Sequence, residues 1–84
     1  MKKLHEYWIP VRVSEGMFSD EYAVTLESSE GREVSLFADK YLVRKEGEEA
    51  FLKVRLVQEG GNTQRVLLPT ETFETGSCWL NVAR

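Results

Sequence analysis

Nucleophilic catalysis needs a hydroxyl or thiol with a base positioned beside it. The chain of 84 residues offers one cysteine, Cys78, and one histidine, His5. His5 lies near the beginning, in a stretch prone to fraying. Cys78 alternates with Leu80 and Val82, the spacing of a small core hydrophobe, whereas a reactive thiol needs exposure and a basic neighbour. A single cysteine also rules out an internal disulfide and falls short of the ligand count of a structural zinc site. Carboxylates are plentiful, in three clusters: Glu27, Glu30 and Glu33; Glu46, Glu48 and Glu49; Glu71 and Glu74. Paired acids run hydrolytic chemistry when one is buried enough to keep its proton. These fall in or beside predicted turns, where charge solvates the chain and guards strand edges. No run shows the alternating oxygens of an EF-hand loop, and Gly60-Gly61 lacks the spacing of a phosphate-cradling loop. The expectation is no catalytic residue, no metal site and no cofactor.

The aromatic residues carry more information. Trp8 and Trp79 both fall on the outward parity of predicted strands, as do Phe37, Phe51, Val57 and Leu67. First and last strands often adjoin in small closed barrels, which would gather both indoles and Arg12 on one exterior patch. A contiguous apolar patch marks an interface, and Trp and Arg are enriched among the residues that dominate binding energy. Met17 and Phe18 stand at the tip of a loop, Ser14 to Glu21. There they either fold back to plug the barrel's open end or project as an adaptable contact. Trp8, Arg12, Met17, Phe18, Phe37 and Trp79 are therefore the candidate partner-binding set. The competing reading covers the outward aromatics with loops, as a second small core. The segment Thr70 to Ser77 is a further loop, with Phe73 as its expected anchor.

Those residues must be held by strands. Apolar residues recur at every second position, the signature of a half-buried strand. Tyr7, Ile9, Val11 and Val13 face inward in the first; Tyr22, Val24 and Leu26 in the second; Val34 and Leu36 in the third. Leu52, Val54 and Leu56 follow in the fourth, Val66 and Leu68 in the fifth, and Cys78, Leu80 and Val82 in the sixth. Two three-residue loops ending in a left-handed residue keep these faces in register. Ser29-Glu30-Gly31 sets Leu26 against Val34 and Val24 against Leu36. Gly60-Gly61-Asn62 sets Leu56 against Val66 and Val54 against Leu68. The first hairpin also opposes Glu27 to Glu33, a like-charge pair that Arg32 is placed to relieve. Helix signals are slight: Asp39 could cap one turn through Lys40 to Val43, with a little more between Glu46 and Phe51. The pattern predicts one all-β domain over residues 1–84, a small six-stranded antiparallel barrel or rolled sheet. It is SH3-like by analogy, with at most one short helical turn.

Charge narrows the partners. Asp and Glu number 14 against 11 Lys and Arg, a formal net charge of −3. No basic run exceeds two residues, Lys2-Lys3 and Arg44-Lys45, so neutralisation of phosphates is disfavoured. The opening residues Met1 to Glu6 begin like a secretory leader, but Glu6, Arg12 and Glu15 interrupt any apolar stretch. No segment approaches the roughly 20 apolar residues of a membrane span. These features predict a cytoplasmic, non-catalytic binding or structural module. It would meet a protein partner or a second copy, as a homodimer, through its outward aromatics. The alternative is a small-barrel nucleic-acid-binding protein using Trp8, Arg12 and Trp79.

Overall fold

The computed structural model describes residues 5–83. The leader-like opening and the Lys2-Lys3 pair lie outside the described residues, except for His5 and Glu6. Among the described residues seven strands form the sheet: β1 (His5–Glu15), β2 (Glu21–Glu27), β3 (Glu33–Asp39), β4 (Val43–Glu46), β5 (Glu49–Gly60), β6 (Thr63–Leu67) and β7 (Trp79–Ala83). A single 3₁₀ turn, Lys40–Leu42, leads into β4. The sheet is wholly antiparallel, in the order β3-β2-β1-β5-β6-β7, with β4 on β5. It curls into a half-barrel whose inner face is the core. Val24, Leu36, Val54, Leu68 and Leu80 are buried there, and Val11 packs against them half-buried. No helix among the described residues is long and apolar enough to cross a membrane.

The first hairpin forms as its turn chemistry requires. Val24 pairs with Leu36 and Leu26 with Val34. The Gly31 N–H donates to the Ser28 carbonyl at 2.9 Å, and Gly31 takes φ +80°. Glu27 does oppose Glu33, but Arg12 relieves it, reaching across β2 to Glu33 Oε2 at 2.8 Å. Arg32 has no such role.

The second hairpin reaches the expected register by another route. Its loop has two residues, Gly61-Asn62, with Gly60 opposite Thr63. Gly61 has φ +57°, and among the described residues none other than glycine takes a positive φ. Glycine at the first central position marks a type II′ turn, whose twist suits a hairpin. One extra residue, Val57, then bulges between Leu56 and Gln58 and restores Leu56 opposite Val66.

Further expectations fail. Asp39 makes no side-chain cap. Glu46 to Phe51 is a β4–β5 hairpin around Gly47-Glu48, not a helix; the expected six strands lie along the sheet, and β4 adds a short seventh against β5. The last strand in sequence, β7, lies three steps along the ladder from β1, not beside it.

The sheet's two ends are joined by a loop instead of a ladder. Residues 68–78 run along the free edge of β3. There the Phe73 N–H donates to the Ser35 carbonyl, and Thr70 Oγ1 donates to the Phe37 carbonyl. Glu74 accepts from both the Ser35 N–H and the Ser35 hydroxyl, each at 2.7 Å. The buried anchor of this loop is Thr72, 2% exposed and hydrogen-bonded to Thr75, whereas Phe73 is exposed. At the other end, the Ser29 N–H donates to the Asn81 carbonyl of β7 at 2.7 Å.

Candidate functional site

Pro10 decides where the site lies. β1 and β2 pair from Glu15 opposite Tyr22 as far as Arg12 opposite Thr25. Continued, that register would set Val11 against Leu26 and Pro10 against Glu27. The two-residue turn of the β4–β5 hairpin makes Glu46 and Glu49 a bonded pair, so Phe51 turns its main chain toward β4. Pro10, opposite Phe51, therefore turns its own main chain away from β5 and toward β2. A proline has no N–H to give the Glu27 carbonyl, so the ladder stops. Beyond it β1 runs on with β5 alone and β2 with β3 alone. The two strands part as a fork.

The fork opens into a cleft of about 480 Å³ at the mouth of the half-barrel. That volume lies within the roughly 300–1,000 Å³ of ligand pockets, which often occupy barrel mouths. Its walls come from Tyr7 to Arg12 on β1 and Thr25 to Ser28 on the other arm, with Val82 and Ala83 across the mouth. Ile9, Leu26 and Val82 are buried, making its depth apolar. One polar side chain sits there: Gln64, 5% exposed, donates through Nε2 to Glu59 Oε1 at 3.2 Å and lies 3.5 Å from the Tyr7 hydroxyl. Arg12 stands on the rim, tied to Glu33. Glu6, farther along β1, meets Lys53 at 2.6 Å; that hydrogen bond and charge hold its carboxyl below the ordinary range.

The six candidate residues distribute over four places. Trp8 and Arg12 both line the cleft. Trp8 is half-buried, with the Arg44 guanidinium 4.6 Å from its ring centre. Trp79 is 44% exposed, separated from β1 by β5 and β6, and Arg65 lies 5.3 Å from its ring. The two indoles therefore do not share a patch. Phe37 is half-buried, covered in part by the loop, whose Phe73 ring lies edge-on at 5.3 Å but is itself exposed. Met17 and Phe18 plug nothing; they project from the β1–β2 turn, 76% and 66% exposed.

Among the described residues, no three His, Cys, Asp or Glu side chains gather at metal-binding distance. Cys78 is free and half-buried, less enclosed than Leu80 and Val82, because it precedes β7. Every glutamate of the three sequence clusters is exposed.

The chain matches no protein-family model, no curated protein and no solved structure. The site therefore rests on its own geometry. Sequence reasoning missed Tyr7 and Gln64 as its polar pair and Pro10 as its cause. Two signals were present: a proline inside a strand that otherwise reads as central, and a glutamine two residues before Val66 on the inward parity.

Proposed function

We propose that this chain is a non-catalytic protein-binding module of the cytoplasm, with the forked mouth of the half-barrel as its contact surface. The single observation carrying this reading is the cleft itself. It is apolar in depth, has one small polar pair, and brings Trp8 and Arg12 together on its wall and rim. Such a composition matches the well-packed anchor pockets of protein interfaces. The lone free thiol, which suits a reducing environment, supports that compartment. The partner is a protein segment, a second copy of the chain included.

Nucleic acid is the weaker reading. The outer face of β4, β5 and β6 does carry Arg44, Lys53, Arg55 and Arg65 beside the two indoles. Yet the chain has a formal net charge of −3 and Lys53 is already paired with Glu6, so little positive charge is left to neutralise phosphates.

A random displayed-peptide library, panned against the folded chain, tests the protein-binding reading. Peptides enriched on wild type should lose at least about tenfold in affinity to Trp8→Ala, the scale on which an aromatic anchor contributes. Failure to enrich any peptide above a blank surface would remove the reading.

A further inference from the structure

We infer that the fork takes its partner as an added β-strand, paired to β1 through main-chain hydrogen bonds at Trp8 and Pro10. This rests on the protein-binding reading and specifies its mode.

The case begins with every sheet edge among the described residues. β3 is covered by the loop carrying Phe73 and Glu74. β7 is met by Ser29 at Asn81. β4 is four residues long and carries Arg44, Lys45 and Glu46, the usual protection of an exposed edge. The fork side of β1 differs. From Tyr7 to Val11 it has no charge, and only Pro10 interrupts it.

Alternation along β1 fixes what faces the opening. Residues 7, 9 and 11 give their main-chain groups to β5, so the N–H and C=O of Trp8 and the C=O of Pro10 turn to the fork. On the opposite arm Leu26 pairs with Val34, so Glu27 also turns its main chain to the fork. Main-chain donors and acceptors at strand spacing are matched by another extended main chain, and this is how strand addition recognises a peptide. Side chains set the pattern. A ligand residue opposite Ile9 would point into the apolar depth beside Leu26 and Val82, with Tyr7 and Gln64 at its side. Its neighbour opposite Trp8 would lie outside, against the indole. The ligand is thus an extended segment, apolar at every second position, with a free N–H at the residue opposite Trp8.

The test uses peptides enriched on the wild-type chain. Each is resynthesised with single N-methyl groups walked along its backbone. Methylation at the residue opposite Trp8 should weaken binding about tenfold or more, and the next residue along should tolerate it. The Trp8 amide should exchange its hydrogen at least about tenfold more slowly in the complex. Pro10→Val supplies the missing N–H, allowing β1 and β2 to zip two residues further; it should leave the fold intact and abolish peptide binding. Peptides that bind whatever their methylation, with the Trp8 amide unchanged, would overturn strand addition while leaving protein binding in place. Undiminished binding by a folded Pro10→Val chain would do the same. Should no peptide be enriched, both fall together.

Discussion

Single side chains carry two tasks here that no strand performs. Glu74 is the first: one carboxylate accepts from both donors of Ser35, and these bonds hold its pKa below the ordinary glutamate value of 4.5. A depressed folded-state pKa means that this tie is complete above the unfolded value and lost as pH falls through the folded one. The Ser35 amide should therefore stay protected from hydrogen exchange near neutrality and lose protection only in acid, below the normal carboxylate range. In Glu74→Ala that amide should exchange close to its intrinsic rate at every pH, and a wild-type protection profile from the variant would contradict the role given to the carboxylate. Pro10 is the second, and it acts by omission. The N–H it lacks would have closed the fork, so its effect lies in the pairing it prevents.

At the scale of elements, turns and registers account for most of what was readable. Gly31 illustrates this. A Cβ at that position would meet nothing within 4 Å, so Gly31→Ala strains only the left-handed backbone. The expected loss is roughly 1–2 kcal/mol, measurable by urea unfolding, and Gly31→Asn should recover most of it. An alanine variant as stable as wild type would mean that the turn does not need φ +80°. The first hairpin was fully legible because a strong turn and clean alternation agree. In the second, the Leu56–Val66 pairing was right although the loop length was not: one residue fewer in the turn and one more at Val57 cancel. β4 was illegible for a physical reason. In Val-Arg-Lys-Glu only Val43 packs against the core, too little for period-two patterning to register. The site was half legible. Trp8 and Arg12 were found from residue type, but their separation from Trp79 depends on strand order, which alternation does not encode.

For the whole molecule, self-association depends on which apolar groups remain uncovered once the chain has folded. Trp79 at 44% exposure and the Met17-Phe18 tip at 76% and 66% stand on separate parts of the surface. If a homodimer forms through outward aromatics, sedimentation velocity at micromolar concentration should show it. One of Trp8→Ala at the fork, Trp79→Ala, or Met17→Ser with Phe18→Ser should then return the monomer, identifying the face used. The loop-tip substitutions should shift stability by no more than about 0.5 kcal/mol, because exposed positions away from structural ties rarely do more. A wild type that sediments as a monomer throughout would leave only a different protein as partner.

Because loop contacts join the two ends of the sheet, the barrel has a seam. Releasing the loop's bonds to Ser35 and Phe37, the Ser29–Asn81 bond and the core packing across the inner face would let the wall unroll into an open ribbon with every strand pair still made. Such a ribbon keeps its secondary structure while baring the borders of β3 and β7 at once. Glu74, whose lowered pKa keeps it ionised after ordinary carboxylates have taken up protons, should hold the β3 border shut until strong acid, and edge-to-edge stacking of copies should begin only there.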